Sequence, residues 1–154
     1  REVCNLFDGS TLLDADALRP EIFEKLKNPQ NVVITPHAGE FERLAAGTDP
    51  KEWIRENPCT LVLKGSHSQI LHGQQEMYCL GGSSVLARGG SGDILTGIMA
   101  TLLAKKTYSL MDAACLAVQW HGRAAEVLAR QHGQETILAT EILNYLSFAL
   151  RNDF

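Results

Sequence analysis

This sequence has few of the features that mark membrane-spanning or nucleic-acid-binding proteins. Its longest apolar stretches are far too short to cross a bilayer, and none has the flanks of a signal peptide. It contains no basic run, and its formal net charge is -4. An acidic chain is repelled by phosphate backbones, so we expect neither a nucleic-acid partner nor a membrane partner.

The cysteine content excludes further classes of site. The four cysteines form no CxxC pair and no Cys/His cluster with metal-ligand spacing. They are Cys4, Cys59, Cys79 and Cys115, and most lie in apolar surroundings, as small buried thiols do. This pattern predicts a reducing, cytoplasmic location and no metal site built from the protein's own side chains.

What is present is ordinary globular composition. With 154 residues, 45% of them hydrophobic and 21% charged, residues 1–154 are predicted to form a single domain with a sizeable core. The chain begins with Arg1, and a strand-like segment follows within about a dozen residues. We therefore expect that something precedes it in the gene product.

Apolar segments alternate with helical patterns in the first half of the chain. Strands are predicted at 11–16, 31–35 and 60–64, and helices at 20–26, 39–46 and 49–56. Such alternation favours βαβ units, hence a largely parallel sheet with flanking helices.

The pattern changes in the second half. Two strand-like runs, 68–72 and 75–80, flank a turn at Gly73 and predict an antiparallel hairpin. Helices follow to the end: a long one from Ser109 to about Gln131, and a last one capped by Thr140. The predicted fold class is therefore α/β with a β-hairpin and a helical C-terminal part.

Polar groups follow each of the three predicted parallel strands. The first strand ends in Asp14 and Asp16, the second in Thr35-Pro36-His37, and the third in Lys64-Gly65. The carboxyl ends of parallel strands share one edge of a sheet, which is where ligands bind in such folds. Asp14 and Asp16 flank one residue, so on a regular strand they point the same way and either orient a ligand hydroxyl or form a turn.

The lysine and the residues after it suggest an anion contact. Lys64 ends a buried strand, where an ammonium group must leave the core or meet an anion. Gly65 allows close approach to the backbone, and Ser66 and Ser68 supply donors. His67 is assigned no role by its pattern alone, and neither are His72, His121 or His132.

A glycine cluster, Gly89-Gly90-Ser91-Gly92-Asp93, is followed at once by an amphipathic helical pattern. Main-chain amides at a helix start converge on anions, and the helix dipole adds partial positive charge. Asp93 would repel phosphate if binding were the only purpose, whereas it suits a base that deprotonates a hydroxyl during phosphoryl transfer. The alternative is an ordinary N-terminal cap.

Five motifs follow one another along the chain: Leu-Asp-Ala-Asp-Ala-Leu (13–18), Thr-Pro-His-Ala-Gly-Glu-Phe (35–41), Leu-Lys-Gly-Ser-His-Ser-Gln-Ile (63–70), Ala-Arg-Gly-Gly-Ser-Gly-Asp-Ile-Leu-Thr-Gly-Ile (87–98) and Trp-His-Gly-Arg-Ala-Ala (120–125). Together they resemble motifs of the ADP- or ATP-dependent NAD(P)H-hydrate dehydratases. The resemblance runs in order over nearly the whole chain and implies a ribokinase-like fold. It also implies repair of hydrated NADH or NADPH, by phosphorylation of the ring hydroxyl with ADP or ATP and loss of phosphate.

The resemblance assigns roles to individual residues. Asp93 corresponds to the catalytic carboxylate that also contacts the hydrate, and His37 to a contact with the hydrated cofactor. Gly92, with Ser91 beside it, corresponds to the nucleotide contact of the anion hole. Lys64, Gly65, Ser66, His67 and Ser68 correspond to the nucleotide-binding run. Asp14 and Asp16 are further candidates for substrate binding, and Mg²⁺ is expected to bridge the nucleotide phosphates.

The sequence also departs from the family pattern. Arg88 stands where a small residue, often threonine, is usual, and the family's domain extends much further upstream. We therefore expect an incomplete domain whose first strand exposes an edge and which needs the upstream segment. A homo-oligomer is expected by analogy. Two alternatives stay open: a ribokinase-like kinase for a vitamin precursor, and a nucleotide-binding fragment without turnover.

Overall fold

A computed structural model describes residues 8–151, which contain one five-stranded mixed sheet in the order β1-β2-β3-β4-β5. The strands are β1 (Thr11–Leu13), β2 (Val32–Ile34), β3 (Thr60–Leu63), β4 (Ser68–His72) and β5 (Gln75–Cys79). The first three run parallel, and β4 and β5 form an antiparallel hairpin beside β3. The predicted parallel sheet and hairpin are confirmed.

The helices flank this sheet. Over the described residues they are α1 (Pro20–Phe23), α2 (Ala38–Ala45), α3 (Pro50–Glu56), α4 (Ser91–Ala104), α5 (Leu110–His132) and α6 (Leu146–Ala149). Capping side chains fix where two of these helices begin. The side chain of Asp49 accepts a hydrogen bond from the Lys51 amide before α3, and that of Ser109 accepts one from the Asp112 amide before α5. The predicted start of the long helix is confirmed.

Both faces of the sheet are buried at β2 and β3, whereas β5 is exposed except at Cys79. Val33 and Val62 belong to a core that includes α4 and α5, whereas Ile34 and Leu61 belong to a second core with α2 and α3. Side chains alternate between the faces of a strand, so a sheet covered on both sides needs unbroken apolar runs. This is why β2 is apolar throughout and β3 is apolar after Thr60.

The small residues of α5 allow close packing. A Cβ added at Gly122 would lie 3.2 Å from the carbonyl oxygen of Gly81, so a larger residue would push the two segments apart. The neighbouring Trp120 donates its indole N–H to the Leu146 carbonyl at 2.7 Å. This contact ties the C-terminal segment to α5.

Two local predictions are wrong. The first strand ends at Leu13 rather than at residue 16, because Ala15 adopts a positive φ of 50° and a short 3₁₀ turn covers Ala15–Ala17. The last helix is not capped by Thr140, since a 3₁₀ segment covers Ala139–Tyr145 and the Leu138 amide donates to the Glu141 carboxylate.

The burial of two cysteines agrees with their apolar surroundings in the sequence. Cys59 and Cys79 are buried, and burial raises the pKa of the Cys59 thiol to about 12, so it stays protonated and inert. Cys4 lies outside the described residues. None of the helices between residues 8 and 151 is both long enough and apolar enough to cross a membrane.

Candidate active site

The carboxyl ends of the three parallel strands are joined by main-chain hydrogen bonds beyond the ladder itself. The Thr35 amide donates to the Leu13 carbonyl at 3.2 Å, and the Lys64 amide donates to the Pro36 carbonyl at 2.8 Å. His37 and Lys64 pair as an isolated parallel bridge. The predicted convergence of polar residues on this edge is therefore confirmed.

An ion pair occupies the centre of this edge. Lys64 Nζ lies 2.9 Å from Asp14 Oδ1 and 3.9 Å from Glu40 Oε2. The other oxygen of Asp14 accepts from the Thr96 hydroxyl of α4 at 2.9 Å. The side chains of Lys64 and Asp14 are 21% and 13% exposed, so the pair is largely desolvated but still reached by solvent. The ammonium group thus meets an anion, as the sequence required.

The carboxyl of Asp14 is held in its charged form. Burial raises its pKa, but hydrogen bonds from Lys64 and Thr96 outweigh that effect, and the pKa ends below its ordinary value of 3.8. A lowered folded-state pKa stabilises the fold above the unfolded pKa. That stabilisation is lost as the pH falls through the folded pKa.

We expect Lys64→Met and Asp14→Asn each to lower the free energy of unfolding by about 1–3 kcal/mol, because each leaves a partner unpaired in a desolvated place. The double variant should lose less than the sum of the two. The difference in the free energy of unfolding between wild type and Asp14→Asn should narrow as the pH falls below 3.8, the ordinary pKa at which the carboxyl protonates in the unfolded chain. Urea denaturation between pH 7 and pH 3 measures both effects. If the two losses of unfolding free energy add in the double variant, and if the difference between wild type and Asp14→Asn does not vary with pH, the two side chains do not stabilise each other.

The glycine cluster begins α4 and leaves amides available. Gly90 has a φ of 88°, and the amides of Ser91 and Ile94 donate to the carbonyls of Arg88 and Gly90. The amides of Gly92 and Asp93 donate to no carbonyl within residues 8–151. Two donors therefore point out of the positive end of a fourteen-residue helix, as an anion-binding site requires.

Asp93 is exposed beside these amides. Among the described residues its carboxylate makes no hydrogen bond and no ion pair. It does not cap the helix, since the capping position is Gly90 and no side-chain cap bond is present. The carboxylate is therefore free to accept a proton from a bound hydroxyl.

Gly92 connects the helix to the strand edge. A Cβ added there would lie 3.4 Å from Lys64 Nζ and 4.0 Å from Asp14 Oδ2. The absence of a side chain keeps an open approach to the neighbouring amides. The ammonium group of Lys64 thus lies beside the helical turn that carries the free amides.

His37 lies at the rim of the same edge and caps α2. Its Nδ1 accepts from the Glu40 amide at 3.1 Å, while its own amide donates to the Glu40 carboxylate at 2.7 Å. An accepting Nδ1 carries no proton, so the neutral ring bears its proton on Nε2. Its Nε2 lies 3.5 Å from Glu40 Oε1, and the side chain is 56% exposed, so a ligand can still reach the ring.

Other predicted site residues are not drawn into this cluster. Asp16 lies in the 3₁₀ turn, exposed, so it does not point the same way as Asp14 as a regular strand would require. Ser66 and His67 are exposed beyond β3 and contact each other, and Gly65 is exposed beside them. Ser68 begins β4.

Two residues of the cluster have roles that sequence reasoning missed. Thr96 binds Asp14, and its spacing of four from Gly92 places both on one helix face, which is the signal that could have found it. Glu40 does more than favour the helix dipole, because its carboxylate also approaches Lys64.

Arg88 reinforces the glycine cluster from outside. Its guanidinium donates to the carbonyls of Gln134 and Glu135, which follow α5. The unusual arginine therefore ties the cluster to the segment after α5. Over residues 8–151, the structure contains no group of three or more His, Cys, Asp or Glu side chains that could hold a metal ion.

Comparison with known proteins identifies similar sequences over most of the chain. A family model described as NAD(P)H-hydrate dehydratase matches residues 1–147. A Bacillus subtilis relative named ADP-dependent (S)-NAD(P)H-hydrate dehydratase is 32% identical over 150 residues, 90% of this chain and 53% of the relative. A Moorella thermoacetica relative named bifunctional NAD(P)H-hydrate repair enzyme is 36% identical, covering 79% of this chain and 25% of the relative. The chain thus spans between a quarter and about half of these relatives' lengths.

Solved structures give the same result for the fold. The ADP/ATP-dependent NAD(P)H-hydrate dehydratase from Bacillus subtilis, co-crystallised with ATP/Mg²⁺, aligns with a TM-score of 0.84 at 31% identity, covering 94% of this chain and 55% of that one. A ribokinase-like superfamily protein from Enterococcus faecalis aligns with a TM-score of 0.75 at 28% identity, covering 90% of this chain and 51% of that one. The fold is therefore ribokinase-like, as the sequence predicted.

Proposed function

Because this chain belongs to the NAD(P)H-hydrate dehydratase family, we propose that it forms the phosphoryl-transfer part of an enzyme that dehydrates hydrated NADH or NADPH. ADP or ATP is the proposed phosphoryl donor. The observation that supports this most directly is the free carboxylate of Asp93 beside two free amides at the start of α4. A base and an anion site side by side are what phosphorylation of a hydroxyl needs.

The proposed reaction begins with proton transfer. Asp93 accepts the proton of the ring hydroxyl, and the hydroxyl oxygen attacks the terminal phosphorus of the nucleotide. The bond between that phosphorus and the bridging oxygen breaks, which releases AMP from ADP or ADP from ATP. Hydroxide is a poor leaving group and phosphate a good one. The neighbouring ring nitrogen then expels phosphate with its lone pair, and loss of a ring proton restores the dihydropyridine.

The free amides of Gly92 and Asp93 donate to the oxygens of the phosphoryl group in transfer. Lys64, fixed by Asp14, supplies positive charge at the same place. Gly65, Ser66, His67 and Ser68 remain proposed nucleotide contacts. Ser91 is 2% exposed, so we propose that it serves the nucleotide site through its neighbours Gly92 and Asp93 rather than by direct contact of its side chain. His37 is proposed to bind the hydrate through its exposed ring, and Asp14 and Asp16 remain proposed neighbours of the substrate.

The charge of the site favours a nucleotide that brings its own cation. Lys64 is the single cation within the Asp14, Glu40 and Lys64 cluster, where two carboxylates face one ammonium. The described residues form no metal cage, so we propose that Mg²⁺ enters as part of the nucleotide substrate, held by phosphate oxygens and water. Its charge would offset that of the phosphates and carboxylates.

The assay that tests the function follows the reduced-nicotinamide absorbance. Purified protein, hydrated NADH or NADPH, Mg²⁺ and either ADP or ATP should restore that absorbance with release of phosphate. Nucleotide consumption with a vitamin-precursor alcohol, and none with the hydrate, would favour a kinase. Nucleotide binding without turnover on either substrate would favour a non-catalytic module.

We expect His37→Asn to raise the KM for the hydrate about tenfold or more and to leave the KM for nucleotide within about twofold. Asparagine is a good helix cap, so α2 should stay intact while the imidazole is lost. Steady-state kinetics with each substrate varied, together with a thermal melt, measures the difference. Equal increases in both KM values would assign His37 to the helix cap alone.

We also propose that the protein is cytoplasmic and a homo-oligomer, by analogy with the family. Size-exclusion chromatography with mass determination tests the second proposal. A monomeric mass at micromolar concentration would refute it.

A further inference from the structure

A buried histidine contacts the glycine cluster from behind. His121 lies in the middle of α5 and is 5% exposed. Its Nε2 lies 3.4 Å from the hydroxyl oxygen of Ser91, which is 2% exposed. The proposed chemistry uses neither of these two side chains directly.

Ser91 is held by hydrogen bonds from both its main chain and its side chain. Its amide donates to the Arg88 carbonyl at 3.2 Å, and its hydroxyl bonds to His121. It is also the first residue of α4, directly before the free amides of Gly92 and Asp93. Successive helical residues are related by a fixed rotation about the axis, so the orientation of Ser91 determines where those amides and the Asp93 carboxylate point.

His121 orients Ser91 without adding a positive charge to the site. Burial lowers the pKa of His121 to about 4, so the ring is neutral at pH 7. A neutral imidazole orients Ser91 and contributes no cation that would compete for the phosphoryl oxygens or pair with Asp93. Phosphoryl transfer depends mainly on positioning, so small rotations of this turn matter.

We propose that His121 is a positioning residue: through the Ser91 hydroxyl it fixes the first turn of α4, and so aims the Gly92 and Asp93 amides and the Asp93 carboxylate at the reacting groups. This inference rests on the proposed function for its kinetic consequences. Its structural consequence, the order of the first turn of α4, is independent of catalysis.

The test compares His121→Leu, His121→Gln and Ser91→Ala in the full natural protein. His121→Leu and Ser91→Ala should each lower kcat about tenfold to a hundredfold and leave the KM for nucleotide within about twofold. His121→Gln places a polar atom near the position of Nε2 and should restore most of kcat. The double variant His121→Leu/Ser91→Ala should be no worse than either single variant, because both remove the same contact.

The sheet offers a matched control. The Thr60 hydroxyl bonds to His72 Nδ1 at 2.8 Å, and Thr60 begins β3 while Lys64 follows its other end. His72→Leu therefore removes a partly buried hydroxyl–imidazole contact at the edge opposite the site. It should lower the melting temperature by a similar amount and leave kcat unchanged.

Amide hydrogen exchange separates this inference from the proposed function. Exchange at the amides of Ser91 and Ile94, which bond to Arg88 and Gly90, should speed up in His121→Leu and in Ser91→Ala but not in His72→Leu. An inactive wild type with this exchange pattern would refute the function and support the positioning contact. Wild-type kcat and wild-type exchange in both variants, or kcat losses that add in the double variant, would overturn the positioning role.

Discussion

Asp93→Asn is expected to lower kcat by about 10²–10⁴-fold while nucleotide affinity changes less than about threefold. Asparagine keeps the size of the side chain and loses its basicity, so the ring hydroxyl no longer has an acceptor for its proton. The amides of Gly92 and Asp93, which we expect to hold the phosphate, belong to the backbone and are unchanged. Recovery of reduced-nicotinamide absorbance measures kcat, and calorimetric titration with ADP or ATP measures binding.

The chain contains a closely matched control for this substitution. Asp112 is the third residue of α5, as Asp93 is of α4, and both lie in the first turn. Asp112→Asn therefore removes the same charge from the same position of a helix. It should have a small effect on stability, through the helix dipole and through the Ser109 hydroxyl that donates to Asp112 Oδ2 at 2.6 Å, and none on turnover. If Asp93→Asn keeps a near-normal rate, Asp93 is not the base.

Gly92→Ala is expected to strengthen the fold and weaken nucleotide binding at least tenfold. Alanine is a better helix former than glycine by about 1 kcal/mol, so the melting temperature should rise by a few degrees. The new methyl lies 3.4 Å from Lys64 Nζ and 4.0 Å from Asp14 Oδ2, and both are ordinary van der Waals contacts. It stands, however, in the space through which a phosphate must reach the free amides.

Gly97 supplies the comparison. It lies in the same helix, and a Cβ added there meets nothing within 4 Å. Gly97→Ala should raise the melting temperature by a similar amount and leave the nucleotide Kd unchanged. Equal binding by the two variants would show that phosphate does not approach past Gly92.

The ion pair changes the expected behaviour of Lys64. From the sequence, this lysine is expected to bind the anionic nucleotide. In the structure its ammonium group already contacts Asp14 and approaches Glu40. A desolvated ammonium with a carboxylate partner is fixed in place and partly neutralised. Lys64 therefore contributes a preorganised position more than a full positive charge, and the free amides of α4 become the main proposed donors to phosphate.

Local sequence determined most of the elements of this protein. The apolar runs at Val32–Ile34 and 61–63 need both faces of a sheet covered, which favours parallel strands with helices on each side. The carboxyl ends of parallel strands lie at the same edge of the sheet, so the sequence also predicted that His37 and Lys64 lie close together. Such features depend on periodicity and chain order, which a sequence displays directly.

Only the tertiary structure decided which side chains meet. The positive φ of Ala15 ends β1 early and separates Asp16 from Asp14, a backbone choice that alanine does not signal. Thr96 binds Asp14 across 82 positions of the chain, and His121 reaches Ser91 from a helix whose pattern shows only small residues for packing. These contacts depend on how α4 and α5 pack against the sheet and each other. Packing of that kind is set by the shapes of many residues at once, so no single motif records it.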